Sequence, residues 1–397
     1  MVSVELAISI MLAAGSSALI ARKMGEGQND SAKRDFTTVV LATAVMGVVI
    51  GVLCLMFMQP LLAALGAPAG MLNTLCTDYF TILIAFAPAF LLQTLCQYAL
   101  ITAGKPALGM TMMILAGVTN IVLDIFSMGP LNMGIQGAAI ATVIGYCIPV
   151  AFGVVYFTFL RSGSLSFMKP EWSLKPVAQS CVNGAAQMVS NMSTAVTTFL
   201  FNITVLKYIG EDGVAAISIL LYAQYIFTAV YLGYSSGVAP IFSYKYGDHD
   251  TVQLKGLLKN SLIFIGICSV LSFGISLLGA GTITSIFAPA GTPIYDISVH
   301  GFRFFSVGFL FMGMNLFTSA FFTAISDGKT ASLLSTLRTL VFLTSGIIFL
   351  PQMFGVTGIW LSVPCAELLA LALSVFCLYR KRGLYEGTAM RPCHANQ

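Results

Sequence analysis

Long apolar stretches alternate with short polar segments along the whole chain. Each stretch has close to 20 residues with few charges, which is the length that a helix needs to cross about 30 Å of hydrocarbon. The pattern predicts about eleven membrane-spanning helices and leaves no residues for a soluble domain. We place these helices at 2–21, 37–58, 78–103, 106–128, 136–160, 177–206, 213–238, 257–283, 299–325, 329–350 and 356–379.

Composition and charge placement agree with a membrane protein. Hydrophobic residues make up 57% of the chain and charged residues only 9%, whereas a soluble domain has about 25% charged residues. All but three of the nineteen lysines and arginines lie in alternate loops, the linker and the tail, so these segments are predicted to be cytoplasmic. We expect a multi-pass monomer in the cell membrane, with a cytoplasmic C-terminus. Its basic runs are too short to predict a nucleic-acid surface, so membrane lipid is the expected surface partner.

The chain contains two copies of one pattern, about 221 residues apart. Gly134-Ile135-Gln136-Gly137 recurs as Gly355-Val356-Thr357-Gly358, and Ala67-Pro68-Ala69-Gly70 recurs as Ala288-Pro289-Ala290-Gly291. Two similar membrane bundles in one polypeptide are typical of a transporter, because a site between the halves can open to either side as they rock. The predicted segments are an N-terminal bundle at 1–160, a cytoplasmic linker at 161–176, a C-terminal six-helix bundle at 177–380 and a cytoplasmic tail at 381–397.

The first copy is shorter than the second. Residue 1 aligns with about residue 223, whereas the second copy begins near residue 177, so the first copy is shorter by about 46 residues. We therefore expect a parent fold of about twelve helices, of which this chain lacks the first. The predicted fold class is an all-α integral membrane protein with pseudo-symmetric bundles of about five and six helices.

One predicted helix, 177–206, carries a continuous polar stripe. At 100° per residue its polar side chains fall within an arc of about 100°. They are Ser180, Asn183, Gln187, Asn191, Thr194, Thr198 and Asn202. Lipid cannot satisfy such a stripe, so we favour a water-lined substrate cavity; hydrogen bonding between helices is the alternative. On helix 299–325, Asn315 and Thr318 are candidates either for the same lining or for packing contacts.

Charged and amide groups at membrane depth are the remaining candidates. Counted from the turn at 351–355, Arg338 and Glu367 lie about 20 Å and 17 Å deep and could meet across a hairpin. They form either an ion-coupling site or a static ion pair. Asn120 and Asp124 lie four residues apart near the outer end of helix 106–128, and Asp124 is a cation or proton site, a surface-seeking carboxylate or a local cap.

Other chemistry finds no support in the sequence. No Cys-x-x-Cys or Cys/His ligand spacing occurs, so neither a metal site nor a disulfide framework is predicted. An intramembrane enzyme would need paired carboxylates, a Ser/His pair or a metal motif at matching depth, and we identify no catalytic residues of this kind. The expected cofactor set is therefore empty, apart from Na⁺ or H⁺ as transported ions.

Several segments resemble the multidrug and toxic compound extrusion (MATE) family, particularly its bacterial multidrug-efflux branch. They are Gly104-Lys105-Pro106, AGVTNIVLD at 116–124, NGAAQMVSNMS at 183–193, KYIGEDGVAA at 207–216 and GIWLSVPCAELLAL at 358–371. The resemblance extends over essentially the whole chain. It implies two six-helix bundles with a central cavity, and export of drugs or organic cations in exchange for Na⁺ or H⁺.

The resemblance also implies candidate site residues, and at one position this chain differs from the family pattern. Asn120 and Asp124 match the family's Asn-x-x-x-Asp motif, and Arg338 and Glu367 match its second-half pattern. Where the family usually has a glutamate, this chain has Gln187, which cannot titrate. Glu367 and Asp124 are therefore the remaining candidates for ion coupling.

The sequence thus predicts a secondary active exporter that works by alternating access. Two alternatives stay open: a lipid or lipid-linked glycan flippase of the same architecture, and a truncated transporter without activity. A flippase usually needs a more cationic cavity to hold phosphates, and Arg338 is the only cation that the sequence places in mid-membrane.

Overall fold

The computed structural model describes residues 2–64, 70–160, 164–170 and 173–386. These residues form α-helices and two π-helical segments, without strands. The helices are α1 (Val2–Gly25), α2 (Asn29–Met56), α3 (Met58–Ala64), α4 (Met71–Ala85), α5 (Ala87–Thr102), α6 (Pro106–Met128), α7 (Gly134–Val155), α8 (Lys175–Tyr208), α9 (Glu211–Gly247), α10 (Thr251–Leu278), α11 (Ala280–Ser285), α12 (Pro293–Ala324), α13 (Gly328–Thr336), α14 (Thr344–Phe354), α15 (Val356–Arg380) and α16 (Gly383–Glu386). The π-helical segments are Tyr156–Leu160 and Leu337–Leu343.

The predicted membrane architecture is confirmed. In the described part of the chain, ten helical stretches are long and apolar enough to span a membrane, and a bent pair raises the count to eleven. Large apolar side chains are exposed along α2 and α6, among them Val45 and Ile125, as expected for helices that face acyl chains. Parts of the sequence predictions fall on residues 65–69, 161–163, 171–172 and 387–397, which lie outside the described residues.

The helix predicted at 78–103 is in fact two helices. The chain bends by 52° between α4 and α5, at Phe86. Pro88 lies in the first turn of α5, where proline is favoured because its missing N–H would have no partner within the helix, so it favours the start of a new helix at this point. The repeat mate of this pair is α12, which runs unbroken for 32 residues.

Backbone contacts divide the chain into two compact units, residues 1–184 and 185–397. In the N-terminal unit, α5 packs against α1, α2 and α7, and α7 also packs against α4 and α6. One core cluster of this unit contains Phe36, Leu100 and Phe157, with Phe36 and Phe157 in edge-to-face contact at 4.8 Å between ring centroids. Edge-to-face contacts of this kind stabilise the packing of α2 against the π-helical segment at 156–160.

In the C-terminal unit, α12 is the central helix. It packs against α9, α10, α13 and α15, and most of its residues are buried. Its phenylalanines Phe302, Phe305 and Phe309 pack with Trp360 of α15 in one core cluster. Gly308 of α12 would place a Cβ only 2.8 Å from Val363, so the absence of a side chain there lets α12 and α15 approach closely.

Candidate functional site: a polar cavity in the C-terminal unit

The C-terminal unit contains a cavity of about 350 Å³. Its wall is formed by α8, α9, α12, α15 and the π-helical segment at 337–343. Helix α8 contributes six polar residues: Gln187, Ser190, Asn191, Thr194, Thr197 and Thr198. Four of these belong to the predicted polar stripe, so within this unit the stripe faces a cavity.

Several polar side chains of this wall donate hydrogen bonds to the backbone of their own helix. Thr194 donates to the carbonyl of Ser190 at 3.0 Å, and Asn191 donates to the carbonyl of Gln187 at 2.8 Å. Such bonds to the preceding turn let polar side chains lie in a membrane helix without unmet donors. Their oxygens keep free lone pairs, so the residues that line the cavity can also accept hydrogen bonds.

Sequence reasoning missed the second polar wall, on α9. Gln224, Tyr225 and Thr228 line the cavity, and Gln224 Oε1 is a buried acceptor without a hydrogen-bond partner in the described part of the chain. Gln224 and Thr228 are four residues apart in an otherwise apolar stretch and so lie on one face of the helix. This spacing could have predicted the polar wall. Thr339, from the π-helical segment, also lines the cavity and was not predicted.

Arg338 and Glu367 meet in the cavity wall as a bidentate ion pair. Arg338 Nε donates to both carboxylate oxygens of Glu367, at 2.9 and 3.0 Å, and Nη2 donates to Oε1 at 2.7 Å. The two side chains are only 13% and 7% exposed, so water screens the pair weakly. A paired arrangement of this kind is the strong form of an arginine–carboxylate contact.

The pair is held by a further network on α12 and α15. Asn315 Nδ2 donates to Glu367 Oε2 at 2.7 Å and to the backbone carbonyl of Glu367 at 2.9 Å. Ser374 in turn donates to Asn315 Oδ1 at 3.0 Å. These contacts orient the Glu367 carboxylate and place Asn315 as its support rather than as part of the wall of the large cavity.

Arg338 reaches this position from a π-helical segment. A π-helix has more residues per turn than an α-helix and is common at functional sites. The Thr344 hydroxyl, just after this segment, donates to the carbonyl of Thr339 at 3.4 Å. Arg338 also lines a second, water-sized cavity of about 10 Å³ together with Gln187, Ser190 and Asn315.

The remaining predicted residues lie elsewhere. Thr318 is buried and donates to the carbonyl of Met314, which is a packing role. Asn202 is partly buried on α8 but does not line the cavity. Asn183 is buried within the N-terminal unit, apart from the cavity described above.

Asn120 and Asp124 lie in the N-terminal unit on α6. Asn120 Nδ2 donates to the Thr142 hydroxyl of α7 at 3.3 Å. Asp124 is half-buried, and its Oδ1 has no hydrogen-bond partner among the described residues. The same unit buries Glu5 of α1, a carboxylate to which the sequence assigns no role. A buried carboxylate oxygen without a hydrogen-bond partner is a position that a proton or a cation would stabilise.

The described residues were also compared with the requirements of a metal site. Within the described ranges, no cluster of three or more His, Cys, Asp or Glu side chains could hold a metal ion.

Asp327, in the loop before α13, caps that helix and accepts a hydrogen bond from Lys381 at 2.5 Å. Burial raises the pKa of Asp327, but the hydrogen bonds from Lys381 and Thr330 outweigh it and leave the pKa below its ordinary value.

A membrane-embedded helical protein with a polar cavity and a buried ion pair in its wall has the architecture of a small-molecule transporter. The sequence model of the MatE family matches residues 2–126 and 186–347. The chain belongs to this family of transporters and is a multi-pass protein of the cell membrane.

The similar proteins share most of their length with this chain. "Multidrug export protein MepA" of Staphylococcus haemolyticus (strain JCSC1435) is 24% identical over 388 residues, covering 96% of this chain and 83% of the relative. Its namesake from Staphylococcus aureus (strain bovine RF122 / ET3-1) is 21% identical over 93% of this chain and 81% of the relative.

Solved structures share the fold. A MATE structure in complex with MaL6 has a TM-score of 0.91 at 20% identity, covering 96% of this chain and 86% of that chain. An outward-facing multidrug resistance MATE family transporter of the MOP superfamily has a TM-score of 0.90 at 20% identity, with the same coverage. The predicted family and fold are thereby confirmed.

Proposed function

We propose that this chain is a multidrug exporter: a secondary active transporter that moves drug-sized organic compounds out of the cell in exchange for Na⁺ or H⁺. The cavity of the C-terminal unit carries the proposal. Its volume of about 350 Å³ lies in the range of small-molecule sites, and its wall combines polar groups with apolar side chains such as Phe201 and Leu316. The relatives named as multidrug export proteins support the same substrate range.

Transport through this cavity requires alternating access, in which the cavity opens to one side of the membrane at a time. A ligand that has equal affinity for the two states cannot shift them, so the coupling ion must bind one state better than the other. The duplicated sequence pattern supports such a cycle. The charge placement supports a cytoplasmic C-terminus, which a reporter fused after Gln397 would test.

Transport by the full-length chain is the direct test. Purified protein is reconstituted into liposomes that contain ethidium, and a Na⁺ or a proton gradient is then imposed. We expect ethidium to be exchanged against one of the two ions, and empty liposomes provide the baseline. Absence of exchange under both gradients, for ethidium and for a second drug, would contradict the proposal and would favour an inactive protein. Exchange of a fluorescent lipid alone would favour a flippase.

For ion coupling, Asp124 is a better candidate than Glu367. A carboxylate has about four lone-pair positions, and the Glu367 carboxylate already accepts hydrogen bonds from Arg338 and Asn315 at both oxygens. A cation at Glu367 would have to displace Arg338 and leave a guanidinium unpaired at membrane depth. Asp124, in contrast, has an unmet oxygen. We assign the coupling ion to Asp124, with Asn120 as its neighbour on α6.

Four substitutions separate the candidates. Asp124→Asn should abolish the dependence of exchange on the ion gradient, while Glu367→Gln should alter drug affinity and leave ion dependence in place. Asp212→Asn, at an exposed position at the start of α9, is the matched control. Retention of ion dependence in Asp124→Asn, or its loss in Glu5→Gln instead, would refute the assignment.

A further inference from the structure

Four basic side chains on the outer surface of the C-terminal unit have no acidic partner among the described residues. They are Lys255 and Lys259 near the start of α10, and Arg380 and Arg382 at the end of α15. All four are exposed, and none takes part in an ion pair within the described part of the chain. Their charge is therefore available to a partner from outside the protein.

The short helix α16 brings the two basic pairs to the same end of the unit. It follows α15 directly and packs against α10. Its residue Tyr385 is buried, contacts Phe321 at 5.5 Å between ring centroids and belongs to the same core cluster as Leu254 of α10. The chain just before α16 is fixed as well, because Lys381 binds Asp327. The two arginines and the two lysines therefore flank one anchored segment.

The two arginines lie over exposed aromatic rings. The guanidinium carbon of Arg380 is 5.9 Å from the ring centroid of Phe376. That of Arg382 is 4.7 Å from the ring centroid of Tyr379. A ring attracts a cation over its face but leaves the N–H donors of the guanidinium free, so both arginines are oriented and can still bind an anion.

The same helices expose apolar side chains next to their basic residues. On α15, Leu368 and Val375 are exposed along with Phe376, and on α10 Ile263 and Ile267 continue the face of Lys259. Their spacing of three or four residues, or multiples of it, places them on one side of each helix. Apolar surfaces of this kind face acyl chains in a membrane. The surface therefore fits an amphipathic anion, with its charge at one end and an apolar body beside it.

We propose that the surface around α16 is a binding site for an anionic phospholipid. The lipid phosphate binds Arg380 and Arg382, the lysines of α10 add positive charge beside it, and the acyl chains lie along the exposed apolar side of α15. Arginine suits this role, because its planar fork matches the geometry of a phosphate. The charge placement supports a cytoplasmic C-terminus, and the cytoplasmic leaflet carries anionic lipids. The inference goes beyond the exporter function and does not depend on it.

Lipid binding to the full-length protein tests the proposal. Native mass spectrometry in detergent resolves each lipid-bound state. Dioleoyl phosphatidylglycerol and dioleoyl phosphatidylcholine have the same acyl chains, but only the first has a net negative charge. We expect the first bound phosphatidylglycerol to be held about tenfold more tightly than the first bound phosphatidylcholine, because the unpaired basic side chains attract its charge. Equal affinity for the two lipids would overturn the proposal.

Paired variants locate the site. Arg380→Gln/Arg382→Gln should reduce the preference for phosphatidylglycerol to about twofold, since the phosphate loses its guanidinium donors. Lys207→Gln/Arg303→Gln removes the same charge from exposed positions on α8 and α12 and should keep the full preference. Lys207 also lies over an aromatic ring, at 5.7 Å, so this control matches the contact between cation and ring. Equal losses in the two double variants would indicate a general effect of net charge and would refute the assignment to this surface.

A competitor separates a lipid site from a site for free phosphate. Glycerol 3-phosphate carries the phosphate without acyl chains, so at millimolar concentration it should leave the bound phosphatidylglycerol in place. Displacement of the lipid by this compound would show that the apolar surface takes no part and would overturn the lipid assignment. Because all of these are binding measurements, a failure of drug exchange in liposomes would refute the exporter function and leave the lipid site standing.

Discussion

The two repeat copies differ in whether the charged side chains of their helices are paired. In the C-terminal unit, Arg338 and Glu367 form a saturated pair supported by Asn315. Their repeat mates in the N-terminal unit, near Leu115 and Tyr146, are uncharged. That unit instead contains a lone acidic side chain on α6 with an unmet oxygen. The charges of the C-terminal unit neutralise each other, whereas the carboxylate of the N-terminal unit has an oxygen without a hydrogen-bond partner. Because the two copies differ, the fold itself requires neither arrangement.

This difference suits the two units to different roles in transport. A neutral pair can recognise charge on a substrate without attracting every ion in solution, whereas a lone carboxylate gains most from a proton or a small cation. We therefore assign substrate recognition to the C-terminal unit and ion coupling to the N-terminal unit. The substitutions below test this assignment.

The largest loss of stability is expected when one member of the Arg338–Glu367 ion pair is removed. Arg338→Met leaves the Glu367 carboxylate buried without its partner, which should lower the free energy of unfolding by about 3–5 kcal/mol. Thermal unfolding of the purified protein in detergent measures this loss. The double variant Arg338→Met/Glu367→Gln should recover most of it, because neither charge remains. A double variant as unstable as the single one would show that the pair matters through packing rather than charge.

A second effect comes from backbone packing in the N-terminal unit. A Cβ on Gly15 of α1 would lie 1.9 Å from the carbonyl oxygen of Ser180. Since backbone cannot move aside as a flexible side chain can, Gly15→Ala should destabilise the protein by about 1–3 kcal/mol. Gly117→Ala, on α6 where a Cβ would meet nothing within 4 Å, is the control and should be neutral or slightly stabilising. Equal melting temperatures of the two variants would contradict the close contact.

The lone carboxylate should matter much less for stability. Asp124→Asn removes a charge that receives no hydrogen bond at Oδ1, so we expect the free energy of unfolding to change by less than about 1 kcal/mol, or to rise. The same thermal unfolding assay, at neutral pH without Na⁺, measures it. A loss as large as that of Arg338→Met would mean that Asp124 is a structural partner in the fold and not an ion site.

The sequence predicted those features that depend on periodicity and depth. Counting residues from the turn at 351–355 brought Arg338 and Glu367 to similar depth, and the structure joins them. The stripe on α8 was visible because polar residues recur at helical spacing over several turns. The α9 wall was missed, since a pair such as Gln224 and Thr228 in an apolar helix resembles ordinary packing residues.

Other features depend on tertiary contacts that no local pattern records. The break at Phe86 could have been expected from Pro88, but prolines at Pro149 and Pro364 lie inside unbroken helices, so proline alone does not identify a break. The π-helical segment that presents Arg338 packs against α15, a tertiary contact that the local sequence does not record. The roles assigned to the site residues, and the domain bounds at 161–176, stay predictions.

The smallest effect is expected outside the membrane, at Asp327. Its ordinary pKa is 3.8, and the folded protein holds its pKa lower, so the charged carboxylate adds stability above pH 4 that is lost as the pH falls through the lowered value. Asn caps a helix about as well as Asp, so Asp327→Asn removes chiefly the contact with Lys381. Because Lys381 is 37% exposed, we expect a loss of only about 0.5 kcal/mol at pH 7, which should shrink as the pH falls below the ordinary pKa of Asp327. Melting curves of the two proteins that converge on acidification would support this, whereas a constant difference from pH 7 to pH 3 would mean that Asp327 acts as a cap alone.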